Sequence, residues 1–312
     1  MALLLSMSGY DPQPWLKALA HWLPDERVVT LADDFAPEAI EFALVWAPPA
    51  GDLARYPKLR GIQIMGVGTD HLDHDHSLPR VPVMRLIDPH VIDDMGLYAL
   101  YWVIHAQRHL GVYRKQQADK HWGPLTAPTG DQFDVTVLGL GNIGRGVARR
   151  LHHNGFRVCG WSMRATSLTD MRCYHGQAQL PTALGQAQVV VACLPLLAST
   201  HNLLNAATLA QLPAGAFLIN IGRGATLVEA DCLAALDSGQ LSGAALDVFT
   251  QEPLPTASPL WSHPKAHITP HIAGTLYARS ATRLIAENLQ AIRRGATPQH
   301  LYVPPCHRDP PA

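Results

Sequence analysis

The chain has no marked excess of charge of either sign: 24 Lys and Arg side chains stand against 25 Asp and Glu side chains, a formal net charge of -1 at pH 7. Such a chain has no overall field to attract nucleic acid or an anionic membrane. Cysteine is scarce, and its five scattered residues do not fit a disulfide framework. No apolar run approaches the ~20 residues that span a bilayer, and the N-terminus lacks the basic flank of a signal peptide. We therefore expect a cytoplasmic protein with local binding sites.

Short apolar runs rich in β-branched residues alternate with amphipathic segments along the whole chain. This alternation is typical of βαβ units and predicts an α/β fold with mostly parallel sheets. A length of 312 residues suits two domains. A long, largely apolar helix from about Asp93 to His109 is predicted to connect them, and a helix between Tyr277 and Gly295 is predicted to return to the first. The predicted bounds are 1–92 with 280–312 for one domain, 93–279 for the other, and about 110–132 for an arm.

A glycine-rich segment directly follows the apolar run "DVTVL". It consists of Gly139, Leu140, Gly141, Asn142, Ile143 and Gly144, and a helical segment comes after it. In this pattern the first glycine allows a tight turn, the second lets a pyrophosphate approach the backbone, and the third permits close packing of helix on strand. The helix N-terminus adds free N–H groups for phosphate oxygens. Although a glycine turn can be purely structural, the flanking strand and helix predict a Rossmann domain that binds a dinucleotide.

The next predicted strand, "FRVCGW", ends without the acidic residue that usually follows such a turn. That carboxylate binds the ribose 2′-hydroxyl of NAD, and its charge would repel a 2′-phosphate. Here Ser162 and Arg164 occupy the region instead, and both can bond a phosphate. We therefore predict NADPH as the preferred cofactor, with NADH possible at lower preference. The alternative is that Arg164 is a solvated charge and the site accepts either cofactor.

Three further polar segments follow predicted strands, at the edge where open α/β sheets bind ligands. They contain Arg223 in "LINIGRGAT", Asp247 and Glu252 in "ALDVFTQEPLP", and His271 in "HITPHIAG". Arg223 precedes Glu252 by 29 residues, and Glu252 precedes His271 by 19. Each side chain alone has an ordinary structural explanation, such as a surface charge, a turn acid or a capping histidine. Their joint occurrence at successive strand ends predicts a catalytic site.

Together these motifs resemble the D-isomer-specific 2-hydroxyacid dehydrogenase family, whose pattern is a glycine-flanked arginine, an acid in an "EPLP"-like stretch and a "PH" histidine. The resemblance extends over nearly the whole chain and includes "GVGTDHLD", "LPLLAST" and "SPLWSHP". Within the family, "LVWAPP", "HWGPL" and the "WSMR" loop look most like the glyoxylate/hydroxypyruvate reductase A branch. The resemblance implies two doubly wound parallel-sheet domains, with a Rossmann nucleotide-binding domain inserted in a flavodoxin-like substrate domain.

The resemblance also implies roles for the polar residues. Arg223 would grip the carboxylate of a 2-oxoacid and polarise its ketone, and His271 would supply a proton. Glu252 would fix the imidazole tautomer, and Asp247 would lie near the nicotinamide. The other expected contacts are Leu194, Pro195 and Ile221 with the cofactor, and Trp46, Val67 and Gly68 with the substrate.

The function we expect is NADPH-dependent reduction of small 2-oxoacids: glyoxylate to glycolate, and hydroxypyruvate to D-glycerate. Family members commonly dimerise through the nucleotide domain and the arm, so we expect a homodimer. Two alternatives stay open: a dehydrogenase for another D-2-hydroxyacid, and a dinucleotide-sensing, corepressor-like interaction protein. No metal is expected, because the His- and Asp-rich stretch "TDHLDHDH" (residues 69–76) has the spacing of no compact closed site.

Overall fold

Two mostly parallel β-sheets organise the chain, one in each of two compact units. The computed structural model describes residues 2–7, 9 and 11–307. The first unit comprises Met1–Val91 and Leu276–Ala312, and the second comprises Ile92–Thr275. The predicted segment 280–312 includes residues 308–312, which lie outside the described residues. The chain thus leaves the first unit, builds the second and returns.

The sheet of the first unit is doubly wound. Its strands are β1 (Ala2–Met7), β2 (Arg27–Thr30), β3 (Ile40–Trp46), β4 (Gly61–Ile64), β5 (Val83–Arg85) and β13 (Leu301–Tyr302), and its complete helices are α1 (Gln13–Trp22) and α8 (Ala278–Arg293). The strand order is β2-β1-β3-β4-β5-β13; among these described strands the β5–β13 pair is antiparallel and the other pairs are parallel. Alternate residues of β1 and β3 enter two separate aliphatic cores, so both faces of the sheet are covered. The parallel strands follow the flavodoxin-like order.

The sheet of the second unit is entirely parallel. Its strands are β6 (Asp134–Leu138), β7 (Arg157–Ser162), β8 (Arg172–His175), β9 (Val189–Ala192), β10 (Ala216–Asn220), β11 (Leu241–Leu246) and β12 (Ala266–Ile268). Its helices are α2 (Pro89–Gln107), α3 (Leu110–Ala118), α4 (Asn142–His153), α5 (Gly176–Leu184), α6 (Ala206–Leu209) and α7 (Glu229–Ser238). The first three residues of α2 belong to the first unit, and the helix belongs to the second unit from Ile92 onward. The order β8-β7-β6-β9-β10-β11-β12 contains the Rossmann order, with β12 added at the edge. The predicted fold class is confirmed.

Helix α2 differs from its prediction at both ends. It begins at Pro89 rather than near Asp93, because the carboxylate of Asp88 accepts a hydrogen bond from the backbone N–H of His90 at 3.0 Å. An acidic residue before a proline is a favourable helix start, and apolar periodicity does not reveal it. The helix ends at Gln107, and His109 has a left-handed backbone with φ of 55°. No helix in the described part of the chain is long and apolar enough to cross a membrane.

The carboxyl ends of five strands in the second unit lie side by side. Their last residues are in register across the sheet: Leu138, Ala192, Asn220, Leu246 and Ile268. The loops that follow these strands therefore emerge along one edge of the sheet. This edge is where a doubly wound fold binds its ligands.

Candidate active site

The glycine turn between β6 and α4 has the geometry of a phosphate cradle. Gly139 has a φ of +92°, and a Cβ on Gly144 would lie 1.8 Å from the carbonyl oxygen of Gly139, so neither position accepts a side chain without strain. A Cβ on Gly141 itself would have no neighbouring atom within 4 Å, so the backbone there is open to a ligand. Helix α4 then starts at Asn142 without a side-chain cap, and the N–H groups of a first helical turn have no carbonyl partner within their own helix. The turn fits a dinucleotide pyrophosphate.

The end of β7 holds the two residues predicted to select the cofactor. Ser162 is the last residue of the strand, and its hydroxyl donates a hydrogen bond to the carbonyl oxygen of Arg164 at 2.6 Å. This bond tightens the loop that carries the exposed Arg164 side chain. No acidic residue follows the strand before Asp170. The loop therefore presents a cation where NAD-binding relatives of this fold present a carboxylate.

The predicted cofactor contacts beyond the glycine turn lie on neighbouring strand ends. Leu194 and Pro195 follow β9, and the hydroxyl of Thr200 donates to the Pro195 carbonyl oxygen at 2.6 Å. Ile221 follows β10 directly and is buried, and its backbone N–H donates to the carbonyl oxygen of Ala192 at 3.0 Å. These residues line the same sheet edge as the glycine turn.

Arg223 occupies the loop after β10. A Cβ on its neighbour Gly224 would lie 1.8 Å from the carbonyl carbon of Phe249, so only glycine lets the two loops pack this closely. Thr226 fixes the loop by donating its hydroxyl to the Arg223 carbonyl oxygen at 2.7 Å. The half-buried guanidinium donates to the Gly222 carbonyl oxygen at 3.0 Å. The close packing places the guanidinium charge within electrostatic range of Glu252.

Glu252 and His271 form a direct pair. Oε2 of Glu252 lies 2.7 Å from Nδ1 of His271, while Oε1 accepts a hydrogen bond from the backbone N–H of Phe249 at 2.9 Å. The carboxylate is therefore held at both oxygens. Because an ionised carboxylate only accepts hydrogen bonds, the proton between the pair belongs to Nδ1. Nε2, the other ring nitrogen, belongs to a side chain that is 41% exposed.

The environment of Glu252 keeps its carboxyl group ionised. Burial raises the pKa of Glu252, but the hydrogen bonds from His271 and Phe249 and the charges of His271 and Arg223 outweigh burial and lower it. An ionised carboxylate at this position fixes the tautomer of the imidazole and stabilises a positive charge on the ring. The pair therefore has the chemistry of a general acid with its orienting group.

Asp247 shapes the loop that carries His271. The carboxylate is buried, and Oδ1 accepts hydrogen bonds from the Thr269 hydroxyl at 2.6 Å and the Ile272 N–H at 2.9 Å. Oδ2 accepts from the Ala273 N–H at 2.8 Å, and the carbonyl oxygen of Asp247 accepts from the His271 N–H at 2.9 Å. His271 has a left-handed φ of 55°, a conformation that these bonds hold in place. The predicted nicotinamide contact of Asp247 stays a prediction; the bonds observed position the histidine.

The comparisons with known proteins agree with this geometry. Residues 100–273 match the family described as D-isomer specific 2-hydroxyacid dehydrogenase, NAD binding domain. The chain belongs to the D-isomer-specific 2-hydroxyacid dehydrogenase family. It is 37% identical to the glyoxylate/hydroxypyruvate reductase A of Serratia proteamaculans, over 93% of this chain and 94% of that protein.

Solved structures of family members are similar over almost their whole length. One, from Xanthobacter autotrophicus in complex with NADPH and MES, has a TM-score of 0.92 and 37% identity, covering 96% of this chain and 97% of that one. Another is the NADPH-dependent glyoxylate/hydroxypyruvate reductase of Sinorhizobium meliloti with NADP and sulfate, with a TM-score of 0.90 and 30% identity over 97% of this chain and 98% of that one. The predicted family is confirmed, and with it an oxidoreductase.

The residues predicted to bind substrate from the first unit lie at the carboxyl ends of its strands. Trp46 ends β3, and Val67 and Gly68 follow β4. The Trp46 ring packs so closely on Gly66 that a Cβ there would lie 2.3 Å from the indole, and it contacts the His71 ring in a tilted arrangement with 5.1 Å between ring centroids. The substrate contacts of these residues stay predictions.

Sequence reasoning missed two hydroxyl groups of the second unit's site, those of Tyr98 and Thr269. The hydroxyls of Tyr98 in α2 and Thr269 lie 2.6 Å apart, and Thr269 also bonds Asp247. Because Thr269 donates its only proton to Asp247, Tyr98 is the donor in the other bond. Tyr98 lies within an apolar helix, so no local pattern distinguishes it from a core residue.

Two thiols of the second unit take no part in the chemistry of this site. Burial raises the pKa of Cys193 and of Cys232 to about 12, so both thiols stay protonated, and Cys232 lies in the hydrophobic core of the second unit. Among the described residues, no cluster of three or more His, Cys, Asp or Glu side chains could hold a metal ion, and this includes residues 69–76.

Proposed function

We propose that the protein reduces glyoxylate and hydroxypyruvate with NADPH, giving glycolate and D-glycerate. The observation that carries this proposal is the Glu252–His271 pair at 2.7 Å, with Arg223 on the adjacent loop of the same sheet edge. A cation for a carboxylate and a positioned acid for a ketone oxygen are what a 2-oxoacid reduction requires. The relative from Serratia proteamaculans carries both substrates in its name.

Each side chain has a distinct task in the proposed reaction. Arg223 binds the substrate carboxylate and polarises the ketone, since a planar guanidinium can serve two oxygens. His271 donates the proton on Nε2 to the ketone oxygen as negative charge develops there. Glu252 keeps the other ring nitrogen protonated and stabilises the imidazolium before transfer. The chemistry that NADPH supplies when bound is a hydride for the ketone carbon.

The preference for NADPH rests on the end of β7. Ser162 and Arg164 replace the acidic residue that would repel a 2′-phosphate, and two similar solved structures contain NADPH or NADP. The glycine turn would hold the pyrophosphate through the N–H groups at the start of α4. Changing Ser162→Asp together with Arg164→Ala should move the ratio of kcat/KM values from NADPH toward NADH. An unchanged ratio would contradict this role of the two residues.

An absorbance assay at the nicotinamide band tests the activity directly. Glyoxylate, hydroxypyruvate, pyruvate and phenylpyruvate are each offered with NADPH and with NADH. We expect oxidation of NADPH with the first two substrates at the highest kcat/KM. Preference for phenylpyruvate would instead assign the enzyme to larger 2-oxoacids, and no oxidation of either cofactor with any substrate would refute the reductase proposal.

We further propose a homodimer formed through α2 and the arm. Leu97, Tyr101 and Ile104 project from one stripe of α2 into solvent, and Trp122 in the arm is 96% exposed. Within the arm, the Leu125 N–H donates a hydrogen bond to the Tyr113 hydroxyl at 2.7 Å, which ties the extended segment to α3. Light scattering should give the mass of a dimer, and Leu97→Glu should give a monomer. Leu31→Glu, at an exposed leucine of the first unit, is the matched control.

The free thiols and the proposed NADPH chemistry both suit a reducing compartment, so we propose a cytoplasmic location. Cell fractionation followed by the glyoxylate assay should recover the activity with the cytosol. Recovery from an exported fraction would contradict this location.

A further inference from the structure

Strand β8 places a histidine beside the cofactor-selecting serine. Ser162 ends β7 and His175 ends β8, and the two are Cα partners in register across the parallel pair. Residues paired in this way point to the same face of a sheet. Both also lie at the carboxyl edge, where the loop of Arg164 emerges.

The face on which these two residues lie is fixed by their neighbours along the strands. Trp161 and Tyr174 enter the hydrophobic core beneath α5, and the indole N–H of Trp161 donates to the Gly176 carbonyl oxygen at 2.9 Å. Gly160 points the other way, because a Cβ there would lie 2.7 Å from the side chain of Leu140 in the glycine turn. Ser162 is two residues beyond Gly160 and so shares its face, and His175 shares it through the register. Both residues therefore lie on the side of the sheet that holds the cofactor turn.

Local structure does not account for a histidine at this position. His175 is the residue before α5, where a short polar side chain usually caps the helix, but its ring makes no capping bond. The side chain of Gln179 accepts the backbone N–H of His175 at 2.8 Å instead. The imidazole is exposed, and the described part of the chain offers it no hydrogen-bond partner. It is available to a ligand.

We infer that His175 is a third residue that binds the 2′-phosphate of NADP(H), together with Ser162 and Arg164. The inference rests on the proposed preference for NADPH. That preference was argued from the end of β7, and His175 adds a residue from β8. A ring N–H donates to a phosphate oxygen, and a protonated imidazole adds charge complementarity to that of Arg164. A ribose 2′-hydroxyl offers no such charge, so His175 should discriminate between the two cofactors.

Two fragments of the cofactor separate phosphate binding from catalysis. Isothermal titration of the protein with 2′,5′-ADP and with 5′-AMP measures what the 2′-phosphate contributes. In His175→Ala we expect about three- to tenfold weaker binding of 2′,5′-ADP and unchanged binding of 5′-AMP. His175→Arg should restore most of the loss, and His153→Ala, at an exposed histidine near the far end of α4, is the matched control. The ratio of kcat/KM for NADPH over NADH should fall by the same factor in His175→Ala.

The outcomes distinguish this inference from the proposed function. If the unaltered protein binds the two fragments equally, the NADPH preference itself is wrong and the inference falls with it. If the unaltered protein prefers 2′,5′-ADP and His175→Ala keeps the full preference, only the role of His175 is refuted. Equal weakening of both fragments in His175→Ala would also overturn the inference, because the residue would then act on the adenosine or the loop rather than on the phosphate.

Discussion

At the scale of single residues, the orientation of His271 depends on one carboxylate. Glu252 is bonded through one oxygen to the Phe249 N–H and through the other to Nδ1 of His271. In Glu252→Gln the backbone N–H still needs an acceptor, so the amide oxygen faces Phe249 and the amide NH₂ faces the imidazole. That arrangement favours a neutral ring in which Nδ1 accepts the amide hydrogen bond and carries no proton. A neutral ring is a much weaker acid at Nε2 than the imidazolium that a carboxylate stabilises.

We therefore expect Glu252→Gln to lower kcat by at least about 100-fold and to leave the Kd for NADPH nearly unchanged. Steady-state assays and fluorescence titration of NADPH measure the two quantities. Glu229→Gln is a matched control, since Glu229 accepts the N–H of Thr250 on the same loop without contacting His271. A kcat close to that of the unaltered enzyme would show that the carboxylate charge is not needed.

At the scale of elements, helix α2 is linked to the histidine loop through a chain of hydroxyls. Tyr98 donates to Thr269, and Thr269 donates to Asp247, whose carboxylate holds the loop at His271. Hydrogen bonds in such a chain polarise one another in a buried setting. Tyr98 is largely buried, and burial raises its pKa, so it stays the protonated donor at neutral pH.

Tyr98→Phe should lower kcat by about three- to tenfold while the KM for glyoxylate and the Kd for NADPH change little, because one hydrogen bond in the positioning chain is lost. Thr269→Val should behave similarly and Thr269→Ser should not. A double-mutant cycle of Tyr98→Phe with Thr269→Val should be clearly non-additive. Tyr56→Phe, which removes a buried hydroxyl without a hydrogen-bond partner in the described residues of the first unit, is the control. Additive effects of the two substitutions would show that Tyr98 does not act on the histidine loop through Thr269.

The elements also show what the sequence could and could not predict. The apolar runs of β9 and β10 are visible in the sequence, and the polar residues that follow β10, β11 and β12 mark the site, so Arg223, Glu252 and His271 could be found locally. Strand β8 escaped prediction because, as an edge strand with polar residues, it buries only Tyr174. The two-residue strand β13 exists only through its antiparallel pairing with β5. Tyr98 and Thr269 are 171 residues apart, and only the tertiary fold brings them together.

At the scale of the whole molecule, one cluster makes stability depend on pH. The rings of Trp102, His105 and Phe217 surround His267, with His105 at 5.0 Å and Trp102 at 4.7 Å between ring centroids. Burial, followed by the charges of His105 and Arg114, lowers the pKa of His267 to about 4. Burial and the charge of Arg114 also lower the pKa of His105. Both imidazoles are therefore neutral in the folded protein at neutral pH.

The unfolded chain takes up protons on these histidines as the pH falls below about 6.5, whereas folded His267 does so only near pH 4. The unfolded state thus binds more protons within this window, and the free energy of unfolding must fall as the pH falls from 6.5 to 4. We expect a loss of about 1 to 2 kcal/mol from His267, allowing for water at a half-buried ring.

Denaturant titrations of the unaltered protein and of His267→Gln between pH 4 and 8 test this contribution. Glutamine cannot be protonated, so the variant should lose less stability between pH 6.5 and 4, even if it is less stable overall at pH 8. His153→Gln, which removes an exposed histidine from the same unit, controls for the substitution itself. The carboxylates protonated near pH 4 are common to all three proteins, so the difference between the curves isolates His267. Parallel curves for the unaltered protein and His267→Gln would show that His267 does not set the acid stability of the molecule.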